Sequence, residues 1–324
     1  MGIFTGVAKF SGYRYDNNEW TISFGIPQSL KSICLMNLSV AWNRLSARLA
    51  KRDMHRMIGR FSTVRKAYSV WQRNVQKTNE AFYRDPLKLR DTSLFGSVSP
   101  EELAHELRRR SVAFGLTLPS DLRQEIHQFA SENLLYEPEF EGEFRVDEVT
   151  RGCLTNGRIV MRGLVKHPQH CGTVEQVAQD PTLMAIARQY LGYWPTKVTR
   201  HLTWTFVSPL PKAEQRDRFL PLNYHYDVAG YNFMSAYFYI TDMDRLSGAH
   251  VMIENSHNHK PFYTLFAPCS GLQSDDQVLN YYGQERELLI EGKAGFGFVQ
   301  DPSCYHKFLS PIKHHRLIFQ IRYA

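Results

Sequence analysis

Two residues of metal-ligand type stand one residue apart at His225-Tyr226-Asp227. In extended backbone, positions i and i+2 point to the same face, so an imidazole and a carboxylate are presented together. A third ligand from a distant strand completes a facial set of two histidines and one carboxylate, which leaves three positions open on an iron(II) ion. His306, in Asp301-Pro302-Ser303-Cys304-Tyr305-His306 just after an apparent strand, is the best candidate. Further on, Arg316 opens the run Arg316-Leu317-Ile318-Phe319-Gln320-Ile321-Arg322-Tyr323. A guanidinium there suits a two-pronged, charge-assisted bond to a carboxylate held beside the metal. His-x-Asp alone is a common chance match in a chain with 13 histidines. The ordered set of His-x-Asp, distal His and then Arg, all in one strand-rich half, is far rarer.

That half begins near residue 196. Short β-rich runs bounded by turns cover 198–207, 235–240, 250–253, 296–299 and 317–323. Before them come helix signals. Ser99-Pro100-Glu101-Glu102 joins a capping serine, a first-turn proline and early acids. A second helix starts at Ser120-Asp121 and runs to about Asn133, and a third runs from Asp180-Pro181 to Leu191-Gly192. Helices first and strands afterwards predict an α+β fold whose C-terminal half is a sandwich or barrel.

Residues 1–28 are rich in Gly, Asn and aromatics and read as short strands or irregular structure. Over 30–83 the spacing is helical: Leu38, Trp42, Leu45 and Leu49, then Phe61, Val64, Tyr68, Trp71 and Val75, with Gly59 as the turn of a helical hairpin. The other faces carry Arg44, Arg48, Lys51, Arg52, Arg56, Arg60, Arg65, Lys66, Arg73 and Lys77, and Asp85-Pro86 ends the pattern. The apolar stripe is expected to pack on the β domain or form a homo-oligomer through these helices. Peripheral contact with an anionic membrane is the other use of such a surface. Nucleic acid is not expected, because basic and aromatic residues do not interleave on a recognisable binding fold.

Composition sets the outer bounds. A chain of 324 residues with 43% hydrophobic and 13% aromatic residues can bury a large core, and its net charge of +7 is concentrated in the N-terminal third. Five cysteines, odd in number and never spaced C-x-x-C, fit a reducing compartment better than a disulfide framework. With neither a secretory pattern nor an apolar run of about 18 residues, a cytoplasmic location is expected, peripheral to a membrane if the basic helices serve one.

From about residue 180 to 323 the chain resembles the phytanoyl-CoA dioxygenase family of iron(II)/2-oxoglutarate oxygenases, with weaker likeness back to about Ser99. Asp180-Pro181-Thr182-Leu183 through Leu191-Gly192 is similar to the helix before that family's β core. Tyr237-Phe238-Tyr239-Ile240-Thr241-Asp242 leading to Ser247-Gly248 resembles its strand and acidic turn, and Gly295-Phe296-Gly297-Phe298 precedes the distal histidine. Ile253-Glu254-Asn255-Ser256-His257 stands where the family shows Pro-Gly-Ser-His, with Glu254-Asn255 departing from it, and Val207 stands where some members carry a lysine.

The resemblance implies a double-stranded β-helix (jelly-roll, cupin-like) with flanking helices. Residues 1–95 would be a basic helical extension, and 96–324 the oxygenase domain with its jelly-roll core from about 196. It implies iron(II) held by His225, Asp227 and His306, with 2-oxoglutarate chelating the metal and Arg316 holding its far carboxylate. Tyr237 falls where an aromatic lines the co-substrate pocket. Oxidative decarboxylation to succinate would drive C–H hydroxylation of a small-molecule, lipid or sugar intermediate. Arg322 is the rival for the carboxylate. His257 lines the site or serves a turn, whereas His250, His259, His314 and His315 read as surface or mouth residues. Lys260, Lys307, Lys313, His314 and His315 would favour an anionic substrate if they gather at the mouth. A catalytically silent jelly-roll that binds a ligand or scaffolds a complex, and a cupin-type metalloenzyme without 2-oxoglutarate, are the other readings.

Overall fold

The computed structural model of the chain describes residues 10–16, 19–25, 58–77, 93–138, 140–266 and 273–324. Leu38, Trp42, Leu45, Leu49, the basic residues among them and Asp85-Pro86 lie outside the described residues. In chain order, strands β1 (Phe10–Asp16) and β2 (Glu19–Gly25) form an antiparallel hairpin. Helix α1 (Ser62–Lys77) and then α2 (Pro100–Arg110) follow, the latter capped by Ser99 Oγ, which accepts from the Glu102 N–H at 3.3 Å. Next come β3 (Val112–Thr117), α3 (Ser120–Glu132), β4 (Leu135–Tyr136), β5 (Glu143–Phe144), β6 (Arg162–Val165) and α4 (Gly172–Ala178). Helix α5 (Pro181–Leu191) is capped by Asp180, which accepts from the N–H of Thr182 at 2.8 Å, and closes at Gly192 in left-handed backbone. The rest is β7 (Val198–Thr205), α6 (Lys212–Arg218), β8 (Met234–Tyr239), β9 (His250–Ile253), α7 (Asp275–Tyr282), β10 (Glu287–Ile290), β11 (Phe296–Gln300), β12 (His306–Phe308) and β13 (Arg316–Tyr323).

All strand pairings in the two larger sheets are antiparallel. An eight-stranded sheet runs β3-β11-β8-β13-β7-β6-β4-β5, and a smaller one runs β10-β9-β12. Alternation along the strands separates two cores. Ala236, Phe238, Leu317, Phe319, Leu202 and Trp204 face the helices, packing with Leu183, Ile186 and Leu107. Tyr237, Tyr239, Phe298 and Ile318 face the other way and meet Met252 and Ile290 of the small sheet. The space between the two sheets is therefore a packed layer with polar residues let into it.

The helices starting at Ser99, Ser120 and Asp180 and the five C-terminal β runs fall where the spacing predicts them, within a residue or two, whereas the spacing does not anticipate α4, α6 and α7. Strands β3 and β6 lie inside the stretch read as helical and join the large sheet from before residue 196. The step from α2 into β3 carries no glycine or proline to announce it: Ser111 itself takes the left-handed conformation, with φ +70°.

Helix α1 does pack on the β domain, but through a face turned about 100° from the expected apolar stripe, of which Tyr68 packs on the core. Arg65, Ser69, Gln72 and Gln76 are buried, while Val70, Trp71 and Val75 are 54%, 56% and 40% exposed. The reason is the polarity of what it meets. Gln76 exchanges hydrogen bonds with the Trp194 main chain at 2.7 and 2.9 Å, Ser69 accepts from Asn232 at 2.9 Å, and Arg65 pairs with Asp301 at 2.8 Å. Removing one partner of a buried ion pair leaves an uncompensated charge and costs roughly 3–5 kcal/mol, whereas an exposed side chain away from such features counts for about 0.5 kcal/mol or less. Arg65→Met is accordingly expected to lower the urea midpoint strongly and Trp71→Ser hardly at all. Equal effects of the two would contradict this orientation of α1.

Candidate metal centre

His225 and His306 are directly opposed across an antiparallel bridge, exchanging two main-chain hydrogen bonds of 3.0 and 2.8 Å. Their side chains emerge side by side, ring centroids 4.4 Å apart. Two residues on from His225, Asp227 shares its face and is fixed by its own N–H, which donates to the Pro302 carbonyl at 2.8 Å. One ligand atom from each of His225, Asp227 and His306 lies within 4.8 Å of the others. The histidines are oriented alike: Nδ1 of His225 meets the Asn223 carbonyl and Nδ1 of His306 the Cys304 carbonyl, both at 2.9 Å. These bonds require Nδ1–H and leave Nε2 as the lone-pair donor, the tautomer that a metal ligand needs.

Charge reinforces this arrangement. Burial, followed by the neighbouring His225, pushes the His306 imidazole down to about 4. Burial alone would raise the Asp227 carboxyl, but Arg322, His306 and His225 outweigh it and hold it below the usual carboxylate range. Arg322 donates to Asp227 Oδ2 at 2.9 Å, so this arginine is occupied.

Arg316 is not. It is 2% exposed, stacks over Phe308 at 4.0 Å, donates Nη1–H to the Gly248 carbonyl, and leaves Nε without a partner. Burial lowers its pKa to about 9. Gly248 has φ +88°, and a Cβ there would come within 2.6 Å of the Leu309 carbonyl, so the turn that presents this carbonyl requires glycine. Tyr237 stacks on Phe298 at 5.1 Å, and its hydroxyl accepts from Gln320 at 2.9 Å.

His250 is placed differently from the surface or mouth position expected of it. It is completely buried, parallel to His306 at 5.5 Å and edge-on to Phe308 at 4.9 Å, with neither ring nitrogen hydrogen-bonded. Burial, then His306 and Arg316, hold it well below the ordinary histidine range, as the neutral imidazole. Heading the apolar strand His250-Val251-Met252-Ile253, it is the kind of polar residue in a buried run that marks a site; its face depends on a register the sequence does not show.

His257 sits under the end of α2, with Nδ1 2.7 Å from Ser111 Oγ and Nε2 3.1 Å from the Arg108 carbonyl. Asn255 adopts φ +58°, a conformation asparagine tolerates. The basic residues expected at a mouth make separate contacts. Lys260 donates to the His257 carbonyl at 3.0 Å, Lys307 pairs with Asp275 at 2.9 Å, His315 accepts from the Val207 N–H, and Lys313 and His314 are exposed. Arg65, which the spacing assigned to a solvated face, instead clamps the loop before His306. Besides Asp301 it reaches Ser303 and Asn232, while Tyr190 donates to the same carboxylate.

No family model matches the chain, and no curated protein sequence matches it. Several solved structures are similar to it. The non-haem α-ketoglutarate-dependent epimerase SnoN from nogalamycin biosynthesis is 12% identical, with a TM-score of 0.46 over 69% of this chain and 82% of that one. HygX from Streptomyces hygroscopicus, with nickel, 2-oxoglutarate and hygromycin B bound, is 13% identical, with a TM-score of 0.46 over 69% and 86%. EvdO2 from Micromonospora carbonacea var. aurantiaca, complexed with 2-oxoglutarate, is 13% identical, with a TM-score of 0.44 over 71% and 92%. Identities and scores this low transfer no chemistry, and the functional reading rests on this chain's own residues. Among the described residues, no helix is long and apolar enough to cross a membrane.

The buried imidazoles give the metal-free protein a defined acid response. Burial lowers both His257 and His306 from 6.5 to about 4. Between those values the unfolded chain binds protons that the folded one does not, so stability rises with pH in that window. The melting temperature is expected to be flat above about pH 7 and to fall as pH drops from 6.5 towards 4, less steeply in His257→Asn. A curve flat from pH 7 to 4 would contradict these assignments.

Proposed function

We propose that the chain is an iron(II)- and 2-oxoglutarate-dependent oxygenase of the phytanoyl-CoA dioxygenase type, with a jelly-roll core formed by its two facing sheets. Residues 96–324 form the oxygenase domain and 1–95 the extension. The observation that carries this reading is the pairing of a preoriented His225, Asp227 and His306 set with a buried guanidinium, Arg316, that no carboxylate among the described residues neutralises. A lone buried cation is costly, and a dicarboxylate reaching from the metal face to Arg316 is the ligand that offsets the cost.

The donor set fits iron(II): two imidazoles with Nδ1 already engaged and one carboxylate held anionic by Arg322. When bound, iron(II) and 2-oxoglutarate supply the oxidising chemistry, with succinate and carbon dioxide as co-products. This chain's part is to hold the metal with three side chains, anchor the far carboxylate at Arg316, wall the pocket with Tyr237, Phe298 and Phe308, and keep water from it. The substrate is a small molecule and the reaction C–H hydroxylation. The part of the large sheet's inner face left partly open near the metal presents Thr199, His201, Thr203, Gln320 and Arg322. That row suits a hydrogen-bonding substrate, a sugar-like molecule rather than an acyl chain. The exposed Val70, Trp71 and Val75 are the surface for self-association or membrane contact of the extension.

His225→Ala, Asp227→Ala and His306→Ala should each lose stoichiometric iron(II), read by metal analysis after desalting. Arg316→Leu should keep iron and weaken 2-oxoglutarate binding tenfold or more, since a hydrogen-bonded charge contributes about 1.5–3 kcal/mol. Wild-type protein with iron(II) and air should form succinate from 2-oxoglutarate. Full iron retention by His306→Ala, or unchanged 2-oxoglutarate affinity in Arg316→Leu with the loss appearing in Arg322→Leu, would refute the assignment.

A further inference from the structure

Besides Arg316, whose Nε is unbonded, the space between the sheets holds a polar side chain with no hydrogen bond at all. His250 has both ring nitrogens unbonded at zero exposure. Buried side-chain nitrogens nearly always find a partner, and one left unmet costs about 1–3 kcal/mol. Its position is specific. His250 pairs with Phe308 in the β9–β12 ladder and with Ile290 in β10, so its ring enters the layer between the sheets. One flat side lies parallel to the His306 ring at 5.5 Å, and Phe308, against which it packs edge-on at 4.9 Å, carries the Arg316 guanidinium at 4.0 Å. Tyr237, at 5.5 Å, closes a third side. The imidazole thus stands between the metal ligands and the buried arginine, amid rings that offer it no hydrogen bond.

We propose that His250 is a co-substrate-binding residue whose N–H donates to the 2-oxo acid lying between the metal ligands and Arg316, setting its orientation as well as its affinity. This rests on the reading of Arg316 as the anchor of 2-oxoglutarate. Arg316 recognises the charge at one end of the molecule. His250, held by strand pairing rather than by a flexible stem, constrains how the chain of the oxo acid passes the apolar wall, so a ligand lacking the matching acceptor leaves the imidazole unmet.

The test uses the full chain loaded with nickel(II), with 2-oxoglutarate titrated by calorimetry, so that no turnover enters the readout. His250→Phe fills the same space without a donor. It should keep nickel(II) affinity and melting temperature close to wild type while weakening 2-oxoglutarate about tenfold, and His250→Gln, which restores an N–H, should recover most of that loss. Wild-type 2-oxoglutarate affinity in His250→Phe overturns the proposal. So does parallel loss of nickel(II) and 2-oxoglutarate, which would make His250 a support for His306 alone. Should the phenylalanine variant not fold, His250→Gln against His250→Met gives the same comparison. A wild type that binds nickel(II) but not 2-oxoglutarate sinks the co-substrate reading itself, a result separate from either outcome for His250.

Discussion

The pair of main-chain hydrogen bonds between His225 and His306 constrains everything at the centre of this molecule. They set two imidazoles abreast without any side-chain contact having to hold them there. Because strands alternate, the same register sends Tyr224, Tyr226 and Tyr305 to the opposite face, where they form a separate aromatic core with Val251 and Ile253. A slip of one residue would drive histidines into that core and tyrosines to the metal face, so burial on both sides locks the register. The orienting bonds follow from it too. Each histidine meets the carbonyl two residues before itself, a local contact that either strand makes alone once extended.

Around that pair the protein spends polar burial at two places of opposite kind. The clamp of Arg65, Asp301, Tyr190, Ser303 and Asn232 is self-satisfied: its charges neutralise each other, and burial, though it works to raise the Asp301 carboxyl, yields to Arg65, which holds it far below the usual range. The loop so fixed carries Pro302, whose carbonyl positions Asp227, and leads directly into His306. Arg316 and His250 are the reverse case, polar groups buried with their bonds unmade. In the clamp each buried charge has its partner, whereas the Arg316 Nε and both His250 nitrogens have none.

Much of this was legible in the sequence, for identifiable reasons. His225-Tyr226-Asp227 shows two residues of ligand type on one face because a period of two requires only an extended backbone, and Arg316 heads an apolar run whose alternation is plain. Helices α2 and α5 announce themselves through Ser99 and Asp180. What was hidden depends on tertiary partners. Arg65 lies on a face that pattern alone assigns to solvent, because a helix that docks on carboxylate, amide and carbonyl groups buries its polar side. Strand β3 follows three arginines with no glycine or proline between, so nothing local marks the change. His250 has the right parity to face inward or outward, and only pairing with Phe308 and Ile290 decides.

The layer between the sheets changes character along the length of β13, and that gradient orders the chemistry. At the Arg316 end the walls are Tyr239, Phe298, Phe308, Ile318 and Met252, nearly all buried. At the Arg322 end the same inner face carries Gln320, which bonds Ser235 and Tyr237, and Arg322 on Asp227. The His225, Asp227 and His306 set lies where these halves meet. The dry half strengthens charge–charge attraction and suits one small anion held by a guanidinium, since low polarity magnifies the pairing. The partly open half returns each displaced water's hydrogen bonds through hydroxyl, amide and imidazole groups. A ligand for one half would be poorly served in the other, so under the proposed function solvation would sort co-substrate from substrate before shape does.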